Sequence, residues 1–400
     1  MDFTFANRVQ ALKPSAIREI FKYAADPEVV SLSAGNPAPQ AFPVDAVRAI
    51  SERLLREDPV GALQYSVTEG YPPLREHLSA YLRQKHGLGG EGDELLITSG
   101  AQQAMEMVAK VLCNEGDEVI CESPSFVGSL NSFRSIGAGL VGVPMQPDGM
   151  DVDALEEVLK THPRAKFLYT IPNFQNPTGA CMSAEKRRRV YELCRSNGVL
   201  IVEDNPYGDL RFAGEDLPAI KSMDEDGGVL YVGSFSKVLA PGLRVGYAVG
   251  PKPLIQKMVV VKQGEDVHTG IWAQRICHAF MTRYDFEAHL QTLRTIYRRK
   301  ARYTMDLMDR YLIPAGITYR PIEGGLFLWC DLPKDADPAD FCARAVKEYK
   351  VAAVPGTAFL TDERQPCHSL RINYSTPTDE ALAKGIERLG AFAKEYLTQT

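Results

Sequence analysis

The stretch SFSKVLAPGLRVGY, residues 234 to 247, sets one amine, Lys237, directly after Ser234-Phe235-Ser236 and follows it with Arg244. A lysine held near a second cation and away from water gives up its proton more easily, which suits it to Schiff-base chemistry with a carbonyl. Read singly, Lys237 fits a solvated loop lysine just as well. Other positions offer complementary chemistry. Ser99-Gly100-Ala101 follows the run LLIT and opens a helical pattern, so it presents free backbone N–H groups and a positive helix end to an anion; a plain serine N-cap is the alternative. Asp204 ends the apolar run of VLIVED, where a carboxylate needs a cation or N–H partner. An N-cap or internal ion pair meets that need too, and Tyr207 lies three residues on. Asn176-Pro177-Thr178-Gly179 marks a tight turn that aims the Asn176 side chain. Arg371, in SLRINYS, puts a planar bidentate fork in an apolar run. Its alternative is an edge-strand ion pair.

Together these groups change the reading of each. An anion cradle, a carboxylate and a lysine, all at strand ends, are what pyridoxal phosphate needs: a phosphate site, a partner for the pyridine nitrogen and an amine for the aldehyde.

The elements that must position them recur with a clear rhythm. DELLITSG, GDEVICESPSF, AKFLYTIPNFQNPTG, GVLIVEDNPYGDL, GVLYVGSFSK and RVGYAVG are short apolar runs that end in small polar residues, and most are followed by helical patterns. That alternation predicts an α/β fold with a mostly parallel sheet covered on both faces, and ligands gather beyond the carboxyl ends of such strands. After Met281 the chain becomes a long charged helical stretch and then a mixed segment containing ITYRPIEGGLFLWCDL and HSLRINYS, which predicts a smaller α+β domain. Division is expected at 1–45 for an N-terminal segment covering the site, 46–285 for the large domain and 286–400 for the small one.

Composition narrows the function classes. The 400 residues are 45% hydrophobic and 24% charged, ample for a large core. A net charge of −6 gives no general attraction to nucleic acid or anionic membrane. Eight scattered cysteines form no CxxC pair and no Cys/His cluster, so no metal site is expected and a reducing cytoplasm fits. No run reaches the roughly 18 apolar residues of a membrane span.

Taken in order, SAGNPAPQAFP, QYSVTEGYPPLRE, ITSGAQQA, SPSF, PNFQNPTG, EDNPYGDL, SFSKVLAPGLRVGY and SLRINYS resemble the fold-type I pyridoxal-phosphate aminotransferases of class I/II, within the 2-aminoadipate and aromatic or kynurenine branch. The resemblance implies a large domain with a mostly parallel seven-stranded sheet between helices. It implies that Lys237 binds the cofactor aldehyde and carries the substrate proton, with Asp204 on the pyridine nitrogen and Asn176 and Tyr207 on the 3-hydroxyl oxygen. Ser99, Gly100, Ala101, Ser234, Ser236 and Arg244 would hold the phosphate, and Phe126 would stack on the ring. Arg371, with Gly35 and Asn176, would bind the substrate carboxylate. Tyr65 would reach the phosphate of the neighbouring subunit of a homodimer. Arg18 would meet a distal substrate carboxylate, although an exposed helical arginine beside Glu19 explains it equally. Implied substrates are 2-oxoglutarate and glutamate with an aminoadipate, aromatic or branched-chain partner. A β-lyase or decarboxylase on the same fold is the alternative. A regulatory domain is disfavoured, because the motifs begin by about residue 31 and leave no room for a winged helix.

Overall fold

A computed structural model describes residues 3–10, 12 and 26–399. Its main sheet has the order β2-β9-β8-β7-β6-β3-β4-β5. These strands are β2 Asp93–Thr98, β3 Glu118–Ser123, β4 Gly139–Gln146, β5 Gly149–Met150, β6 Ala165–Thr170, β7 Leu200–Asp204, β8 Val229–Ser234 and β9 Gly246–Pro251. Neighbours from β8 through β4 run parallel, whereas β9 is antiparallel to both β8 and β2. The seven strands expected become eight. After β4 the chain reverses at Pro147-Asp148, and β5 pairs Met145 with Met150 and Gln146 with Gly149 on the sheet edge. Gly149 turns there at a φ of 116°, a left-handed conformation that a side chain resists.

Alternation along the central strands feeds two apolar layers. Val119, Cys121, Phe167, Tyr169 and Val202 enter the larger cluster, while Ile120, Leu168 and Ile201 enter the smaller one on the opposite face. With apolar residues on both faces, these strands read as continuous hydrophobic runs, and that is why the sequence announces them.

A second, antiparallel sheet has the order β10-β11-β14-β13, with β10 Thr318–Tyr319, β11 Phe327–Asp331, β13 Val354–Pro355 and β14 Ser369–Asn373. The helix Phe286–Tyr311 leads into it from the larger unit. Near the amino end, β1 Val30–Ser31 pairs in parallel with β12 Val351–Ala352, so the first strand docks on the smaller unit.

Register brings the future site together. Gly246 on β9 faces Thr98 on one side and Ser234 on the other. The carboxyl ends of β2 and β8 therefore flank one glycine, and β6 and β7 end on the same edge of the sheet. A Cβ on Gly246 would lie 2.6 Å from the Ala101 backbone nitrogen, so the close approach needs glycine.

Candidate active site

At that edge a cleft of about 600 Å³ opens between the two sheets. Lys237, Asp204, Asn176, Tyr207, Arg371, Gly35, Phe126, Ala101, Ser234, Ser236 and Arg244 all line it. Ser99 and Gly100 lie behind it, Tyr65 lies outside it, and Arg18 falls outside the described residues.

Lys237 follows β8 in a turn closed by the Leu239 N–H on the Phe235 carbonyl at 2.8 Å. Its Nζ donates to the Gly35 carbonyl at 2.8 Å. Burial, aided by the guanidinium groups of Arg371 and Arg244, pulls the amine down to about 8. A useful fraction is then unprotonated near neutrality, unlike the solvated loop lysine that the stretch 234–247 alone allows. His289, on the helix Phe286–Tyr311, sits with Nε2 2.7 Å from the Val238 carbonyl and braces the next residue.

Asp204 is buried at the end of β7. Its Oδ2 accepts from the Tyr169 hydroxyl at 2.8 Å, but its Oδ1 is buried with no partner among the described residues. Burial pushes this carboxyl up to about 7. The N-cap and ion-pair alternatives both fail, since among the described residues Asp204 pairs with no cation and caps no helix, and its bonded partner is the Tyr169 hydroxyl.

The turn bearing Asn176 is tied down by two buried charges. Glu122 accepts from the Thr170 hydroxyl at 2.6 Å and from Gln175 Nε2 at 3.0 Å, and Gln175 Oε1 in turn accepts from the Thr178 N–H at 2.9 Å. Burial pushes Glu122 up to about 7 against those bonds. Arg187 donates to Asn173 Oδ1 at 2.7 Å and to the Pro172 carbonyl at 3.0 Å. Ser123-Pro124 and Asn176-Pro177 are both cis.

Arg371 stands on β14, an interior strand of the small sheet rather than an edge. It donates to Asn176 Oδ1 at 2.8 Å and to the Ser33 carbonyl at 2.7 Å. Its guanidinium carbon lies 4.2 Å from the Phe327 ring centre and 4.8 Å from that of Phe359. Its Nε is buried without a partner, and no carboxylate among the described residues pairs with it. Burial therefore pulls it down to about 10. A buried, aromatic-sandwiched cation with spare donors is poised for a carboxylate. Tyr207 packs its ring edge-on to Phe327 at 5.9 Å, and burial raises its phenol.

The anion end has a different construction. The helix Ala101–Leu112 begins at Gly100 with no side-chain cap, leaving first-turn N–H groups toward the cleft. Gly100 has a φ of 81°, and a Cβ there would lie 2.2 Å from Arg244 Nη2. Arg244 itself takes a left-handed φ of 52° and brings Nη1 to 3.5 Å from Ser236 Oγ. Ser99 behaves differently from the expectation of a cradle hydroxyl. Its Oγ donates to Asp266 at 2.6 Å, and Lys262 ties the same carboxylate at 2.8 Å. A hydroxyl has one hydrogen to donate and Ser99 gives it to Asp266, so this side chain anchors the loop from behind. Phe126 meets the cleft beside Gly128, where a Cβ would lie 2.6 Å from the ring.

Several site residues went unnoticed in the sequence: Tyr169 and Ser129 beneath Asp204, Glu122 beneath Asn176, and Phe327 and Phe359 around Arg371. Tyr169 had a readable signal, since a phenol two residues from Ile171 in the apolar run AKFLYTI must find a polar partner.

These groups fit pyridoxal phosphate. The orphaned Asp204 Oδ1 matches a protonated ring nitrogen, the first-turn N–H groups with Ser234, Ser236 and Arg244 match a phosphate, and Lys237 matches an aldehyde. Among the described residues no helix is long and apolar enough to cross a membrane, and no cluster of three or more His, Cys, Asp or Glu could hold a metal.

The chain is similar to proteins of known class. The model of the family "Aminotransferase class I and II" matches residues 27–389. A 2-aminoadipate transaminase of Thermus thermophilus is 40% identical over 98% of this chain and 96% of its own. Aromatic-amino-acid aminotransferase 1 of Thermococcus litoralis is 35% identical over 98% and 94%. Among solved structures, alpha-aminoadipate aminotransferase from Thermus thermophilus, complexed with N-(5'-phosphopyridoxyl)-L-leucine, matches with a TM-score of 0.90 at 38% identity over 99% and 98% of the two chains. With its cleft built to fit that cofactor, the chain belongs to the class I and II aminotransferases and is a pyridoxal-phosphate-dependent enzyme of fold type I.

Proposed function

We propose that this aminotransferase moves an amino group between an amino acid (2-aminoadipate, an aromatic or branched-chain amino acid, or glutamate) and a 2-oxo acid, with glutamate and 2-oxoglutarate as the shared pair, by alternating half-reactions in which Lys237 is the amine and proton carrier. The observation that carries the reading is one cleft holding a readily deprotonated Lys237, an unpaired Asp204 Oδ1 and a carboxylate-free Arg371. When bound, pyridoxal phosphate supplies an aldehyde that condenses with amines and a ring that accepts the electron pair left as the substrate Cα proton departs.

The residues divide the remaining work. Arg371 grips the substrate α-carboxylate, with Gly35 and Asn176 beside it, and so fixes the orientation of the Cα–H bond. Lys237 Nζ would hold the cofactor aldehyde and, as a free amine in the cleft, would take the proton from the substrate Cα and carry it across the same face. Asp204 Oδ1 would accept from the ring N–H, Asn176 and Tyr207 would hold the 3-hydroxyl oxygen, and Phe126 would cover the ring. Gly100, Ala101, Ser234, Ser236 and Arg244 hold the phosphate, with Ser99 fixing their loop.

The names of the relatives support 2-aminoadipate and aromatic amino acids among these substrates. Of the cleft cations Lys237, Arg244 and Arg371, only Arg371 remains for a substrate carboxylate once the cofactor's needs are met. A second, distal carboxylate therefore requires another cation, for which Arg18 is the proposed source.

A homodimer is part of the same proposal. Val60 is 70%, Leu63 70% and Tyr65 81% exposed, an apolar stretch next to the cofactor edge that a second copy would cover. Tyr65 is then supplied to the partner's phosphate site. The division at 46–285 and 286–400 follows the two sheets, and a cytoplasmic setting accords with eight unpaired cysteines.

Adding glutamate alone to the holoenzyme tests the activity. Conversion of the cofactor absorbance to that of the amine form, with 2-oxoglutarate released in equal amount, supports transamination; ammonia or pyruvate from a panel of amino acids, without that change, refutes it.

A further inference from the structure

Asp204 has one carboxylate oxygen held and one free, and Tyr169 does the holding. Tyr169 on β6 pairs with Val202 on β7, so Tyr169, Val202 and Asp204 project from the same face of the sheet. The phenol is fully buried, its ring edge-on to Phe133 at 5.4 Å. From the helix Val127–Ser135, Ser129 Oγ donates to the phenol oxygen at 2.9 Å. A phenol carries one hydrogen, so with Ser129 donating to it, that hydrogen goes to Asp204 Oδ2. The relay runs one way, from Ser129 through Tyr169 to Asp204.

That direction has a consequence. Turning the carboxylate would break a buried, charge-assisted bond, so Oδ2 stays engaged and Oδ1 alone faces the cleft. We infer that Tyr169, oriented by Ser129, is a positioning residue that locks Asp204 and presents its free oxygen to the N–H of the cofactor ring. The inference rests on the assignment of Asp204 to the ring nitrogen made above. A tyrosine that merely filled space would support any ligand of the same shape equally. One that positions Asp204 acts only through the ring nitrogen.

Two ligands separate these roles: pyridoxal phosphate and its deaza analogue, in which a C–H replaces the ring nitrogen. Equilibrium binding of each to the apoenzyme is measured, together with the 15N shift of the ring nitrogen in bound pyridoxal phosphate. Tyr169→Phe is expected to cut the preference for pyridoxal phosphate over the analogue about tenfold, while binding the analogue within about twofold of the parent protein. The 15N shift should move toward the unprotonated value. Ser129→Ala should act in the same direction by roughly two- to fivefold, and it carries the test if Tyr169→Phe shows no cooperative thermal transition. Equal weakening of both ligands, or an unchanged ratio and 15N shift, overturns the inference. Asp204→Asn separates the two levels. If it retains the parent ratio, the assignment of Asp204 itself fails. If it abolishes the preference while Tyr169→Phe and Ser129→Ala keep it, only the role of Tyr169 fails.

Discussion

Arg371 Nη1 donates to Asn176 Oδ1 at 2.8 Å, joining β14 of the small sheet to the turn that follows β6 of the large one. This bond occupies one arm of the guanidinium and leaves the buried Nε without a partner. Arg371→Lys keeps a positive charge and removes the fork. It should lower kcat/KM for an amino acid about 30- to 1000-fold, the equivalent of ~2–4 kcal/mol. Single-turnover rates with the matching amine, which lacks the α-carboxylate, should change less than about threefold. Equal losses on both would remove Arg371 from substrate binding.

Buried carboxyls set the pH dependence of the apoenzyme. Asp204 is raised by burial from 3.8 to about 7 and Glu122 from 4.5 to about 7. Between those values the folded chain binds more protons than the unfolded one, so stability falls as pH rises through that window. Above it the cost of two buried charges is fully present. Asp204→Asn should therefore stabilise the apoenzyme at pH about 8 by on the order of 1–3 kcal/mol, and much less near pH about 4. Urea unfolding at both values measures it, and a pH-independent difference would contradict the assignment.

Gly100 exists to admit Arg244. Its φ of 81° disfavours a side chain, and a Cβ would sit 2.2 Å from Nη2. Gly100→Ala should weaken pyridoxal phosphate binding at least about tenfold. Gly264→Ala, where a Cβ would meet nothing within 4 Å, is the control and should leave affinity unchanged. Calorimetric titration of both apoproteins compares them.

In the proposed homodimer a second copy covers the exposed side chains of Val60, Leu63 and Tyr65. Light scattering should return twice the chain mass of 44.2 kDa. Val60→Glu combined with Leu63→Glu should shift the protein toward monomer and lower activity with it. Tyr65→Phe should preserve the dimer while weakening cofactor binding severalfold.

Parallel strands buried on both faces, such as VLIV before Asp204, are legible because their apolar runs leave little else to form. The polar residues at their ends are legible for a related reason, since the topology gathers those ends on one edge. Lys237, Asp204 and Asn176 thus emerge as a group, although each alone has an ordinary explanation. β5 is not legible in the sequence, because two residues and a tight reversal carry no periodicity. The helix start points Ser99 to the cradle, while the partner of its hydroxyl, Asp266, lies 167 positions away. Glu122 and Tyr169 lie in strands that the apolar residues announce, but their partners, Thr170, Gln175 and Asp204, are distant in sequence or on another strand and are seen only in the folded chain.

The central claim is that Lys237 is the amine that takes the cofactor aldehyde. Borohydride reduction of the holoenzyme, followed by proteolysis and mass spectrometry, tests it most directly. The account predicts one phosphopyridoxyl group per chain, fixed to Lys237 Nζ, and none after Lys237→Ala. A label on another lysine, or an unchanged label in Lys237→Ala, would contradict it.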